Sequence, residues 1–360
     1  MAYKRHVFMT GFPGFLGRRL VRKLLCADEQ MEATLLVEQS QEEAAEEEVK
    51  RLDLMRPADD LARRITIVTG DITAMDVGLS GPEYQTVLEQ TTEIYHLAAI
   101  HELRIQKIKA ESVNVLGTKN MLNLARNLPS LERFIYFSSA YVSGDRVGVI
   151  LEEELEKGQG FRNTYEATKH KAEVMVRRAG FDLPITVIRP SGVVGDSQTG
   201  EIDRYDEVYH MGLLLATANT AIPLSGSGRA PLNLVPVDYV IDAVHVIVNR
   251  PETIGQTFHI CDPNPLSVRG VYEAVAQRFG RTLPRYHVSP NLTKAILRIP
   301  GLERFAPRTR EVIDYLNHMA FYNCANTLDA LAGTGIRCPR FENYVDRLVE
   351  FVREQREDSP

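Results

Sequence analysis

Between residues 6 and 188 the chain alternates short apolar runs with longer stretches of helical periodicity. That alternation is the signature of βαβ units and a parallel sheet. The runs expected to form strands are His6–Met9, Ala33–Val37, Ile65–Val68, Glu93–Leu97, Arg133–Phe137 and Ile185–Ile188. Most end at a polar or glycine-bearing loop, and ligands of open α/β sheets bind outside the carboxyl ends of the strands. The acidic run from Gln41 to Glu48 falls where a sheet-covering helix belongs, so it is expected to be a solvated helix face.

The first strand runs into Thr10-Gly11-Phe12-Pro13-Gly14-Phe15-Leu16-Gly17, which opens an amphipathic helix carrying Leu20, Val21, Leu24 and Leu25. Glycines spaced by three let the backbone turn tightly, approach a pyrophosphate and pack the helix on the sheet, while the helix N-terminus attracts the anion. Thr10, Gly11, Gly14, Phe15, Leu16 and Gly17 are therefore assigned to a dinucleotide. The expected fold is α/β, a Rossmann-type doubly wound parallel sheet with a smaller, mostly helical C-terminal substrate lobe. Its main domain should take residues 1–190 and about 233–260, and the lobe about 191–232 and 261–360.

At the end of the second strand stands Glu38. A carboxylate there accepts hydrogen bonds from free ribose hydroxyls, whereas a 2′-phosphate beside it meets a repulsion of roughly a few kcal/mol. NAD is favoured over NADP, although Arg18 and Arg19, unless they are plain helix-surface charge, could neutralise a phosphate. Asp71 after the third strand is placed to accept from the adenine amino group with Ile72 backing the ring. Leu97, Ala98 and Ala99 after the fourth allow close backbone approach.

Tyr165 and Lys169 lie four residues apart and share one helix face. An ammonium beside a phenol favours the phenolate and lowers the tyrosine pKa from about 10 toward working pH. Tyr165 is then a usable general acid in carbonyl reduction and a base in alcohol oxidation. Ser139, at the end of the fifth strand, supplies a hydroxyl for the substrate oxygen. Ser138 contacts the cofactor or satisfies backbone groups, and Lys169 also holds the nicotinamide ribose. His101 and Tyr141 are candidate substrate contacts. His170 points away from the Tyr165 face.

Length and composition agree with an enzyme of this kind. The 360 residues, 44% hydrophobic and 25% charged, can bury a large core. A net charge of -6 makes nucleic acid a poor partner. Cys26, Cys261, Cys324 and Cys338 form no C-x-x-C pair, and no histidine-carboxylate cluster has metal-ligand spacing, so no metal is expected. The strand starts too close to Met1 to leave room for a signal peptide, and no apolar run is long enough to cross a bilayer, so the expected location is cytoplasmic.

With these residues in hand, the chain resembles the extended short-chain dehydrogenases/reductases over nearly its whole length. The resemblance rests on the glycine motif, Gly70-Asp71-Ile72, His96-Leu97-Ala98-Ala99, Asn114 to Thr118, Ser139, Tyr165 with Lys169, Arg189-Pro190-Ser191 and Val235 to Asp238. It implies that Asn114, Pro190 and Ser191 lie near the cofactor. The glycine motif, Asp76 to Ser80 and Val193 to Gly200 look most like the fatty acyl-CoA reductase and thioester reductase branch, which reduces acyl thioesters to aldehydes or alcohols. Two features depart from that branch: Glu38 stands where its members carry a basic residue for NADP, and no carrier or adenylation domain is recognisable. The implied substrate is a fatty acyl thioester, aldehyde or alcohol, linked to CoA or a carrier, and a homodimer is an analogy from the family.

Two alternatives stay open, a nucleotide-sugar epimerase or dehydratase with retained NAD and a non-catalytic NAD(P)-sensing protein. Glu38 suits the former, and the intact Ser139, Tyr165 and Lys169 set argues against the latter. The apolar stretch from Leu292 to Leu302, followed by Arg304, Arg308 and Arg310, is a lid over an acyl chain, a peripheral membrane contact, or an ordinary amphipathic helix covering its lobe. The last of these is favoured.

Overall fold

The computed structural model describes residues 5–55, 61–101, 105–202, 224–280, 287–289 and 314–357. The stretch at 292–310 lies outside them. Seven parallel strands form the central sheet: β1 (His6–Thr10), β2 (Glu32–Val37), β3 (Ile65–Thr69), β4 (Glu93–His96), β5 (Arg133–Phe137), β7 (Ile185–Pro190) and β11 (Thr257–Ile260). Their order is β11-β7-β5-β4-β1-β2-β3, so the chain runs one way from β1 to β3 and returns on the other side of β1 with β4. The reversal opens a crevice at the carboxyl ends of β1 and β4. Every residue of β1, β4, β5, β7 and β11 is buried, as expected of a parallel sheet covered on both faces.

Among the described residues, three two-stranded parallel pairs lie outside this sheet: β6 (Gly148–Ile150) with β13 (Ala320–Tyr322), β8 (Gly192–Val194) with β10 (Leu234–Pro236), and β9 (Leu224–Ser225) with β12 (His287–Val288).

The expected strands fall within one or two residues of those observed. β11 is the addition: its Thr-Phe-His-Ile sequence is too short and too polar to announce a buried strand.

Helices α1 (Phe15–Ala27) and α7 (Val237–Val248) cover one face through Leu20, Leu24, Val240 and Val244, which pack on Met9, Leu35, Tyr95 and Ile135. On the other face, α5 (Thr118–Asn127) and α6 (Thr164–Ala179) set Met121, Ala125, Ala172 and Val176 against Phe8, Ile94, Phe134 and Tyr136. The acidic run forms the start of α2 (Glu42–Met55), where Ala45 is buried and Glu43, Glu46 and Glu47 are exposed. α3 spans Gly81–Gln90, and α4 (Lys107–Ala110) passes through a π-helical turn (Glu111–Gly117) into α5.

A separate apolar cluster joins Val194, Leu232 and Leu234 to α8 (Val268–Arg278) and α10 (Val345–Glu357) through Val271, Val275, Leu348 and Val352. α9 (Ala325–Leu331) packs instead against the α7 side of the main core. Among the described residues no helix is long and apolar enough to cross a membrane.

Candidate functional site

The crevice begins with backbone packed on backbone. Gly11 has φ +90°, and a Cβ there would stand 2.9 Å from the Ala98 nitrogen and the Leu97 carbonyl carbon. A Cβ on Gly14 or Gly17 would sit 2.8 or 2.6 Å from the Gly11 carbonyl oxygen. The three glycines thus let the turn close on itself and on the loop after β4. Gly14 caps α1 without a side-chain hydrogen bond, and the first turn of α1 carries no acidic residue, leaving its N–H groups for an anion. This cradle fits a dinucleotide pyrophosphate.

A buried relay ties the turn to the far side of the crevice. The Ala98 N–H donates to Thr10 Oγ1 at 3.1 Å, and Thr10 Oγ1 lies 2.8 Å from His96 Nδ1. His96 Nε2 lies 3.0 Å from Thr118 Oγ1, which donates to the Asn114 carbonyl at 2.8 Å. Since Thr118 gives its proton to Asn114, it must accept from an Nε2–H, which makes Nδ1 the acceptor for Thr10. Burial, helped by the charge of Lys169, pushes His96 down to about 3, so the ring is neutral.

Glu38 is exposed immediately after β2, and its carboxylate makes no hydrogen bond or ion pair among the described residues. Arg18 and Arg19 both turn to Glu201, at 3.0 Å each, and the Arg19 guanidinium lies 4.3 Å from the centre of the Phe15 ring. Asp71 accepts from the Thr73 N–H and hydroxyl at 2.7 and 2.9 Å, while Ile72 is buried against Gly117. Leu97, Ala98 and Ala99 are partly exposed and line the end of β4.

Across the crevice α6 begins at Asn163, whose side chain accepts from the Glu166 N–H. Tyr165 is half-buried, and Lys169, one turn on, is buried and donates to the Phe137 carbonyl at 2.6 Å. The Lys169 ammonium sits 4.4 Å from the centre of the Tyr136 ring. Burial pushes it down to about 7 against the opposing pull of Glu173. Asn114 binds both backbone groups of Ile100, at 2.8 and 3.0 Å, and donates to Thr168 Oγ1 at 3.0 Å, joining the β4 loop to the helix beside Lys169.

The two serines after β5 face different partners. Ser138 Oγ donates to Glu173 at 2.5 Å, so its hydroxyl is satisfied by a buried carboxylate rather than by the backbone. Ser139 Oγ accepts from the Tyr141 N–H at 3.2 Å and keeps its own proton for another acceptor. Tyr141 stacks edge-on against Tyr315 with ring centres 5.1 Å apart, and its hydroxyl would lie 3.4 Å from a Cβ placed on Gly192. Pro190 ends β7, and Ser191 donates to Asn233 at 2.8 Å. His101 is exposed. His170 turns toward Phe161, ring centres 4.9 Å apart.

Sequence reasoning missed Glu173, Arg189 as its partner, and Tyr315, which donates to Glu166 at 2.6 Å and accepts from Asn163 at 2.7 Å. The only local signal was the spacing of Glu173, one further turn along the face of Tyr165 and Lys169. No group of His, Cys, Asp and Glu among the described residues has a metal-binding arrangement, and the four cysteines form no disulfide.

A family model described as male sterility protein, an NAD-binding domain, matches residues 9–244. Fatty acyl-CoA reductase 1 of Gallus gallus is 29% identical over 293 residues, covering 69% of this chain and 56% of the relative. The human protein of that name is 28% identical over the same shares. The chain therefore spans about half the length of the curated relatives it matches. Among solved structures, the terminal R domain from the myxalamid PKS-NRPS biosynthetic pathway superposes with a TM-score of 0.84 at 27% identity, covering 99% of this chain and 92% of that one. UDP-glucuronic acid 4-epimerase from Bacillus cereus, in complex with NAD, shares the fold with a TM-score of 0.70 at 16% identity, over 97% and 99% of the two chains.

Proposed function

The chain belongs to the male sterility protein family, in the fatty acyl-CoA reductase and thioester reductase branch of the extended short-chain dehydrogenases/reductases, and from that membership we propose that it reduces an acyl thioester with NADH. The observation that carries the proposal is the arrangement of the crevice. A glycine cradle between β1 and α1 is joined through Thr10, His96, Thr118 and Asn114 to α6, which carries half-buried Tyr165 and buried Lys169, and Ser139, its proton unused, follows β5. A nicotinamide dinucleotide bound there supplies the hydride, so thioester, reduced cofactor and a proton give aldehyde, thiol and oxidised cofactor.

The chain's own residues do the rest. Ser139 donates to the substrate carbonyl oxygen, and Tyr165 delivers its proton to that oxygen as charge develops. Lys169 stabilises the resulting phenolate and reaches the nicotinamide ribose. The glycine turn, Asp71, Ile72, the loop at Leu97 to Ala99, Asn114, Pro190 and Ser191 hold the dinucleotide. His101 and Tyr141 stand on the substrate side. Acyl-CoA and an acyl chain on a carrier's phosphopantetheine present the same thioester, and either is a substrate of this site.

NADH is preferred because Glu38 faces the 2′ position with no cation of its own, while Arg18 and Arg19 are held by Glu201. The test is a fluorescence titration of the protein with NADH and NADPH, followed by single turnover with a long-chain acyl-CoA. Tighter NADH binding, and oxidation with release of free thiol, are expected. Bound NAD that copurifies and never exchanges, with no turnover of any thioester, would overturn the proposal in favour of a nucleotide-sugar epimerase.

A further inference from the structure

Helix α6 carries Tyr165, Lys169 and Glu173 one turn apart on a single face, and the chemistry above uses only the first two. Glu173 is completely buried. Its carboxylate accepts from Ser138 Oγ at 2.5 Å, from Arg189 Nη2 and Nε at 2.6 and 3.0 Å, and from Arg177 Nε at 2.9 Å. Arg189, 1% exposed, also donates to the carbonyls of Glu152 and Glu154 at 3.3 and 2.9 Å and to His259 Nε2 at 3.1 Å. Burial alone would favour the neutral acid, but the charges and hydrogen bonds of Arg189, Arg177 and Ser138 together outweigh it and hold Glu173 down at about 2. A buried carboxylate so completely bonded is a fixed anion.

Two consequences reach the reacting groups. Ser138 is tethered to α6 through Glu173, and the preceding residue, Phe137, is tethered to the same helix through Lys169, so the end of β5 that carries Ser139 is held at two adjacent points. The second concerns charge. Lys169 lies over the Tyr136 ring of β5, its charge acts on His96 of β4, and Tyr165 and Glu173 stand one turn before and after it on its own helix. His96 is neutral, and burial pushes the Tyr136 phenol well above its ordinary value. Among the described residues Glu173 is the one carboxylate that favours the Lys169 ammonium.

We propose that Glu173 is a positioning residue of the catalytic centre: it anchors the β5 terminus beneath Ser139 and serves as the countercharge that keeps Lys169 an ammonium next to Tyr165. This rests on the placement of Lys169 in the catalytic centre, but its test requires no substrate. A purely structural ion pair would stabilise the fold without governing the titration of Lys169.

The experiment is NMR of the full chain labelled with carbon-13 at the lysine Cε positions, with the Lys169 signal identified by its loss in Lys169→Arg. Glu173→Gln is expected to lower the Lys169 midpoint by about one pH unit or more. Ser138→Ala, which leaves every charge in place, should leave it unmoved. A folded Glu173→Gln with an unchanged midpoint overturns the proposal. Removal of one partner of a buried pair can unfold a protein, whereas replacing both by apolar residues is often tolerated. If Glu173→Gln does not fold, Glu173→Met with Arg189→Met decides the matter: a lowered midpoint supports the countercharge, and an unmoved or raised one overturns it. Failure of thioester turnover leaves this titration readable, so the two proposals fail separately.

Discussion

The two walls of the crevice are built by opposite means. On the cofactor side, the glycine turn presses backbone against backbone, with no room for a Cβ at Gly11, Gly14 or Gly17. The side proposed for catalysis is assembled from side chains that carry charge into the interior, with Lys169, Glu173 and Arg189 all buried around the ends of β5 and β7. One wall resists change through steric contact, and the other depends on charges balancing each other. Binding and turnover should therefore fail independently when each wall is altered.

The sharpest separation is expected from Tyr165→Phe. Turnover should fall by about 10²- to 10⁴-fold while NADH affinity measured by fluorescence is retained. Equal loss of both would erase the distinction between the walls. Gly17→Ala attacks the other side by placing a Cβ 2.6 Å from the Gly11 carbonyl. It should weaken NADH binding by at least about tenfold and cost about 1–3 kcal/mol of stability in denaturant melts.

Glu38→Arg changes the charge at the ribose without touching the cradle. The ratio of NADPH to NADH affinity should rise by roughly tenfold or more, or about 1.4 kcal/mol, in parallel titrations.

Ser138→Ala and Ser139→Ala compare neighbours within the catalytic wall. The former leaves a buried carboxylate one donor short and should lower stability by about 1–3 kcal/mol. The latter should lower kcat while costing only about 0.5–2 kcal/mol, for the lost acceptor of the Tyr141 N–H.

Acid reaches both walls together, through two buried histidines. Burial pushes His96 and His259 down to about 3 from an ordinary 6.5. The unfolded chain therefore binds more protons than the native one between those values, so their contribution is complete above about pH 6.5 and is lost as pH falls toward 3. Tm measured from pH 7 to pH 5 should decline steadily; a flat profile would show that neither ring is buried neutral.

What was legible in the sequence follows the same division. The glycine turn, the strand ends and the Tyr165-Lys169 pair are set by neighbours within a few residues, so spacing alone locates them. The position of Glu38 was legible for the same reason, as the first polar residue after a buried strand. Arg18 and Arg19 were harder, because only the fold shows that Glu201, nearly two hundred residues on, takes both guanidinium groups. Ser138 and Ser139 look equivalent in sequence, and the difference between them is made by Glu173 on a distant helix. Tyr315 was invisible for the same reason: its partners Asn163, Glu166 and Tyr141 lie more than a hundred residues away.

The most direct test of the account is the fate of the hydride. The protein should be given a long-chain acyl-CoA and NADH deuterated at the transferred position, and the product examined by mass spectrometry. Deuterium on the carbon that was the thioester carbonyl, with free thiol released and the label absent from the Tyr165→Phe reaction over the same interval, is the predicted result. An acyl product that carries no deuterium, or an acyl-CoA recovered intact beside unoxidised cofactor, would contradict it.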